Sequence, residues 1–376
     1  MCGGSIDDDI GDICVLCCSL PKPETKPKPK IVSGSGKKID KICVVGHPSK
    51  LGGADTELDH QIRIWREIGL EVYILPVGQL DQNLKNMRME ERGCKYLEPR
   101  AWNQCKDMVV ISYCNGEYLS NIEEIKRYAR TTMWVNCMTW LFPKEKEAHE
   151  KGLIDWFIYQ TDHARERVHQ ELLRINTDFK WAKVQPYFHT DDFPFVKNRP
   201  KDKFRFGRIS RPDTDKFSTY QKWIYETMLS PVLKEGKILG IDDRAIEKIG
   251  QLPNWIKGHH AGEISAQELY KFSECIIQAC DTYENFPRIG FEAMSSGSLL
   301  IVDDRGGWRE QVQHKQTGFL CGSDREFVYY ATRAAFEEKE RKIMIQNARD
   351  WLDTNWGMEK AKEEWSNFFA KVEKTS

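Results

Sequence analysis

No stretch of the 376-residue sequence approaches the roughly 18 uninterrupted apolar residues that a membrane-spanning helix needs. An excess of one charge is also missing. The 56 basic and 57 acidic side chains leave a formal net charge of -1, so no global field steers the molecule toward nucleic acid or an anionic membrane. The N-terminus has no basic start leading into an apolar run, which leaves no secretory signal, and Met1-Cys2-Gly3 lacks the glycine directly after methionine that myristoylation requires. The twelve cysteines are scattered, several of them inside apolar runs around Cys43 and Cys275, the pattern of small buried hydrophobes in a reducing compartment. These absences lead to the expectation of a cytoplasmic protein with no integral membrane segment.

What remains is ordinary globular composition: 40% hydrophobic, 30% charged and 11% aromatic residues. At about 150 residues per domain the length predicts two or three domains, enough for two cores with a cleft between them. Residues 1–38 stand apart. Asp7, Asp8, Asp9 and Asp12 form an acidic patch, and the proline- and lysine-rich run from Pro21 to Lys30 favours extended, solvated chain. Cys14, Cys17 and Cys18 lie close together, but no second pair or histidine follows at zinc-ligand spacing, so a flexible or loosely docked tail is expected.

From Lys41 onward apolar strand-like runs alternate with helical patterns. Lys41–Gly46 is followed by a turn at Gly52-Gly53 and a helical pattern over 54–68 that aligns Leu58, Ile62 and Trp65. Further strands are predicted over 72–75, 108–112, 133–135, 156–159 and 184–187. After a proline-rich break at 193–202, strands are predicted over 205–209, 237–239, 255–257, 275–279 and 299–302. Such alternation implies parallel sheets covered on both faces. The expected organisation is an α/β chain with a first Rossmann-like domain at 39–195, a second at 196–354 and a helical C-terminus at 355–376. The first domain is a candidate partner for that last segment.

The segment from Asp281 to Val302 carries the chemistry. A strand ends near Asp281, a loop carries Glu284, and Pro287 suits the first turn of a helix, where its missing N–H costs nothing. That helix starts at the carboxyl edge of the sheet, where doubly wound folds bind ligands and unpaired helix N–H groups favour an anion. Glu284 and Glu292, separated by seven residues with Pro287 and Gly290 between them, precede Ala293, Met294 and Gly297 and an apolar strand. This resembles the donor-binding signature of glycosyltransferase family 4, retaining enzymes of the GT-B fold, in which two Rossmann-like domains face each other across a cleft. Gly306-Gly307 and Gly318 follow where that family has a Gly-Gly turn and a later glycine. Gly207-Arg208, with Arg211 and Lys216 beyond it, resembles the strand and cation pair that hold the donor pyrophosphate. Arg211 and Lys216 have the family's spacing, and Arg208, directly after the glycine, is the rival arginine. Gly52-Gly53 resembles the family's first glycine turn. Taken singly, each of these reads as readily as an ordinary turn or solvated charge pair; three in order, each at a strand's carboxyl end, do not.

The resemblance implies a sugar transfer from a UDP- or GDP-type nucleotide sugar, without a metal and with no cofactor beyond that co-substrate. Arg211 and Lys216 would stabilise the growing diphosphate charge in a water-poor cleft. Glu284, with the backbone N–H groups of Asn285, Phe286 and Arg288, would hold the transferred sugar, and Glu292 the ribose hydroxyls. Gly53, Arg208, Pro287, Lys257 and Gly258 complete the donor-binding candidates. Retention is expected by same-face attack, so the two-carboxylate logic of glycoside hydrolases does not transfer.

The sequence departs from the family at one place. Many members have a first-domain histidine near the reacting centre, and the matching stretch, residues 134–140, has none. Asn136, Thr139, Trp140, His163 of the following strand–helix junction, and Gly52 are the acceptor-side candidates. Aromatics interleaved with basic residues over 179–206 suit either an interdomain hinge or base stacking beside phosphate neutralisation. The expected acceptor is therefore a saccharide or glycan, with a modified base in DNA as the alternative. A non-catalytic nucleotide-sugar binder is the rival from another class. A nicotinamide oxidoreductase is disfavoured, because the first turn lacks Gly-x-Gly-x-x-Gly.

Overall fold

The computed structural model describes residues 38–49, 52–77 and 87–375. The tail with Cys14, Cys17 and Cys18, and Leu51 beside the first glycine turn, lie outside the described residues. The first half runs β1 (Lys41–Val45), α1 (Gly53–Glu67), β2 (Glu71–Leu75), β3 (Lys95–Tyr96), β4 (Val109–Tyr113), α2 (Gly116–Tyr128), β5 (Thr131–Asn136), α3 (Pro143–Glu150), β6 (Trp156–Tyr159), α4 (Asp162–Ile175) and β7 (Lys180–Lys183). These strands form one parallel sheet in the order β3-β2-β1-β4-β5-β6-β7.

The second half runs β8 (Lys203–Ile209), α5 (Gln221–Thr227), β9 (Leu233–Leu239), α6 (Asp243–Ile249), β10 (Ile256–His259), α7 (Ala266–Phe272), β11 (Cys275–Gln278), α8 (Arg288–Ser296), β12 (Leu299–Asp303), α9 (Trp308–Gln311) and β13 (Gly318–Cys321). Its sheet is also parallel, ordered β10-β9-β8-β11-β12-β13. Strand order reverses between β1 and β4 in the first sheet and between β8 and β11 in the second. The crevices outside the carboxyl ends of those pairs are where such sheets bind ligands. Central strands such as β4, β5 and β11 are buried along their whole length, as helices on both faces require.

One expectation needs correction. The last strand of the first sheet is Lys180–Lys183, not 184–187. Val184 and Tyr187 are apolar because they pack into the core beside α1, whereas the edge strand is half exposed and has a lysine at each end of its Trp181-Ala182 pair. The helical C-terminus is three helices, α10 (Asp324–Phe336), α11 (Glu338–Trp356) and α12 (Met358–Thr375).

The last two helices belong to different cores. Trp356 of α11 packs with Phe286 and Phe291 in the second half, and its carbonyl accepts from Phe188 N–H at 3.1 Å. The chain then returns to the first half, where Trp365 of α12 meets Trp65 of α1 edge to face at 5.1 Å and donates its indole N–H to Gln61. Trp365 is fully buried. Trp365→Ala is expected to cost about 3–5 kcal/mol, from the cavity and the unpaired Gln61, read as a lower urea midpoint.

Candidate functional site

The second half gathers its candidate residues where β8 and β11 end. Beyond β8 the chain makes a single helical turn at Thr214–Lys216. Lys216 Nζ reaches Glu284 Oε1 at 2.8 Å, with the two side chains 18% and 17% exposed. The loops that carry them are tied together: Asp281 and Thr282 N–H groups donate to Asp215 O at 3.0 and 3.1 Å, and Lys248 bridges Thr214 O and Asp281. Behind Glu284 lies the Gly306-Gly307 turn. Gly307 N–H donates to Glu284 O at 2.9 Å, and a Cβ on either glycine would run into the backbone of Glu284 or Asn285. Only glycine lets the turn approach closely enough to hold that loop.

The arginine pair divides. Arg208 is fully buried, its guanidinium 3.7 Å from the Phe217 ring and bonded to Gln221, Ser210 and the Lys216 carbonyl. It positions the Lys216 turn from below. Arg211, expected beside Lys216, has a side chain 65% exposed and pairs with Asp213 at 3.2 Å instead. Lys216 is therefore supported by the arginine directly after Gly207, because that arginine points inward along the strand.

Pro287 is the N-cap of α8, one position before the first turn. Glu292, partly buried on α8, accepts from the Tyr270 hydroxyl at 2.8 Å, and burial pushes its carboxyl above the usual range. Phe286 packs on Phe291 and Trp356. Lys257 and Gly258 lie exposed on β10 at the sheet edge, while His259 is buried and bonded to Glu263. Asp303, at the end of β12, accepts from Cys280 N–H at 2.9 Å and is pushed up to about 7 by burial.

Three groups of the second half reach across to the first. Asn285 is buried between strand ends: it accepts from Thr161 Oγ1 at 2.7 Å and donates to Gln160 at 3.3 Å and Asn136 O at 3.5 Å. Thr161 also caps α4, accepting from Ala164 N–H. Arg288 turns away from the donor side. Its guanidinium pairs with Glu57 of α1 and bonds Tyr187 O at 2.7 Å and His60 Nδ1 at 2.6 Å. Glu310 of α9 accepts from His163 N–H at 2.9 Å, at the start of α4.

His163 thus lies where the two halves meet. Its ring stacks on Tyr283, with centroids 5.7 Å apart, and burial lowers its pKa from 6.5, leaving it neutral at pH 7. Arg167 and Arg305 also lie against the Tyr283 ring, at 4.7 and 5.3 Å. Gly52 has φ 98° and starts α1, a backbone that favours glycine, and Gly53 faces the Arg288 side chain. Asn136 is spent within its own loop: it donates to Trp140 O and Glu145 Oε1 at 2.9 Å and accepts from Met138 N–H at 2.6 Å. Thr139 is buried in that loop, and Trp140 is 48% exposed at its tip.

Glu145 organises this loop. It accepts from Trp134 Nε1 at 2.6 Å and Phe142 N–H at 2.9 Å as well as from Asn136, and burial pushes it up to about 7. Its folded pKa exceeds the ordinary 4.5, so the folded state binds the extra proton between those values and stability falls as pH rises through that window. Glu145→Gln is expected to remove this contribution. The gap between the wild-type and variant unfolding free energies should therefore change over that interval and level off above it.

Sequence reasoning missed Glu57, His60, Gln160, Thr161, Tyr283 and Asp303. Glu57, His60 and Gln61 look like a solvated helix face, and their burial depends on residues far along the chain. An open groove of about 420 Å³ between α2 and α3 shares none of these residues. Within it Lys151 pairs Glu123 and Glu147 at 2.9 Å. The basic and aromatic segment buries Tyr187, Phe188, Phe204 and Phe206, which takes these rings out of reach of a base. Among the described residues no helix is long and apolar enough to cross a membrane.

Residues 239–351 match the family model described as glycosyl transferases group 1. No curated protein sequence matches the chain. Among solved structures, the chain is similar to Anabaena Alr3699/HepE in complex with UDP-glucose, at 15% identity and a TM-score of 0.65, covering 88% of this chain and 99% of that one. A glycosyltransferase from Rickettsia africae ESF-5 aligns with a TM-score of 0.70 at 15% identity, covering 90% and 100%. A variant of S. aureus TarM in complex with fondaparinux, α-GlcNAc-glycerol and UDP aligns with a TM-score of 0.68 at 10% identity, covering 88% and 100%. The fold is GT-B, and the second half carries a glycosyl transferases group 1 segment.

Proposed function

We propose that the protein is a retaining, metal-independent glycosyltransferase that moves a sugar from a nucleotide diphosphate sugar to a hydroxyl of a saccharide or glycan. The observation that carries this reading is the Lys216–Glu284 contact, held by two tied loops at the carboxyl edge of β8 and β11. A cation and a carboxylate fixed side by side suit the junction of a diphosphate with a sugar. Lys216 would take up the charge that grows on the leaving diphosphate. Glu284, released from the lysine, would accept hydrogen bonds from the sugar hydroxyls. Because Arg208 and the Gly306-Gly307 turn hold both loops in advance, little reorganisation is needed when the bond breaks. Fixed cations in this role are the ground for metal independence.

UDP is the favoured nucleotide, since similar folds bind UDP-glucose in HepE and UDP in TarM. TarM's complex with fondaparinux and α-GlcNAc-glycerol supports a glycan-type acceptor. The proposed chemistry is attack by the acceptor hydroxyl from the face that the diphosphate leaves, with the anomeric configuration kept. A panel of UDP-glucose, UDP-GlcNAc and GDP-mannose, with glycan acceptors, tests this by nucleotide release and product mass. Transfer with an α-linked product by NMR is expected from an α-linked donor. No release, transfer or thermal shift with any donor would overturn the assignment, and a β-linked product would overturn retention alone.

A further inference from the structure

We propose that Cys114 and Cys137 form a dithiol modification site on the floor of the cleft, one that closes to a disulfide by exchange with a small disulfide such as oxidised glutathione. Of the eight cysteines in the described residues, six are buried, and the two that are partly exposed are this pair. They follow the ends of adjacent parallel strands. β4 pairs β5 with Tyr113 opposite Val135, so Cys114 and Cys137 emerge next to each other at the carboxyl edge. Cys114 is the residue after β4, at the reversal of strand order, and Cys137 follows Asn136, whose carbonyl meets Asn285.

The sulfur of Cys114 accepts from the Cys137 N–H at 2.9 Å. The Cys137 Cα is one bond from that nitrogen and its Cβ two, which sets the Cys114 sulfur against the backbone that carries the Cys137 thiol. The neighbouring Cys114 side chain, together with burial, pushes the Cys137 thiol pKa up. Cys114 holds φ at 47°, a backbone that side-chain-bearing residues seldom adopt, and this turns it toward the end of β5. Proximity alone does not define the site. Cys43 and Cys105 lie with their sulfurs 3.4 Å apart but are fully buried, out of reach of any reagent.

The exchange balances as two displacements. The sulfur of one cysteine, as thiolate, attacks oxidised glutathione and releases one glutathione thiolate. The second cysteine then attacks the mixed disulfide and releases the other. The protein loses two electrons and its two thiol protons, and the two glutathiones gain them.

The test uses the full, folded chain and reads mass instead of turnover, so its outcome is separate from that of the proposed activity. The protein is incubated with oxidised glutathione, alkylated with iodoacetamide and digested with trypsin without reduction. Lys126, Arg127 and Arg130 lie between the two cysteines and place them in separate peptides. The expected result is a linked pair of those peptides that dithiothreitol separates, with Cys43 and Cys105 unmodified. Cys114→Ser is expected to abolish the link and leave glutathione on Cys137. Stable glutathione adducts on either cysteine without a link in the wild type, or no modification of the pair, would overturn the proposal.

Discussion

Lys216→Ala is expected to lower turnover from a nucleotide-sugar donor by about 10²–10³-fold, the range for removing one preorganised group that stabilises developing charge. The side chain is the cation that the fold brings to Glu284, and its turn is anchored from below by Arg208. The loss should appear mainly in kcat, because the charge on the leaving diphosphate is greatest in the transition state. Lys216→Arg should restore only part of it, since a planar guanidinium cannot occupy the same point beside Glu284. Arg211→Ala, with its exposed side chain paired to Asp213, is expected to change turnover far less. Equal rates for wild type and Lys216→Ala, with donor affinity unchanged, would remove Lys216 from the mechanism.

Glu57→Gln is expected to destabilise the fold by about 3–5 kcal/mol, the cost of leaving a buried charge without its partner. Glu57 and Arg288 are 1% and 5% exposed at their side chains. Glu57 also accepts from Gln61 and from Tyr187 N–H, so its carboxylate serves three donors at once. On the arginine's other side, His60 accepts through Nδ1 and offers Nε2 to Asp192 at 3.1 Å. Burial, with Arg288 next in weight, lowers its pKa to about 4, so it stays neutral at pH 7 and adds no repulsion to the guanidinium. Replacing both partners, as Glu57→Leu with Arg288→Met, should recover much of the loss, since no charge is then stranded. Denaturant unfolding of the two single variants and the double variant measures the coupling directly. Additive losses would mean that the pair does not link α1 to α8.

The two predictions differ in how far the sequence could reach. Lys216 and Glu284 stand in loops between strong strand and helix patterns, where the resemblance to glycosyltransferase family 4 implies anion and hydroxyl binding. Arg208 against Arg211 was undecidable from spacing, because a residue's direction at a strand end depends on how the strand is paired. Arg288 reads in the sequence as a first-turn residue offering its backbone N–H to the transferred sugar, yet its side chain pairs with Glu57, 231 positions away. Asn136 reads as a free polar group, but Glu145 and the Trp140 carbonyl consume its amide.

The sequence by itself determined the alternation of strands and helices, the break between two α/β halves, and the strand–loop–helix around Glu284. These are local matters: apolar periodicity, proline and glycine at turns, and the position of charge within one unit of chain. Only the tertiary structure decided which buried face each element shares with a distant one. Periodicity records that a face is covered, not what covers it. Thus α12 returns to α1, the edge strand is Lys180–Lys183, and the polar residues of α1 lie in the interior. Burial by segments hundreds of residues apart leaves no local trace, and it is this burial that joins the two halves.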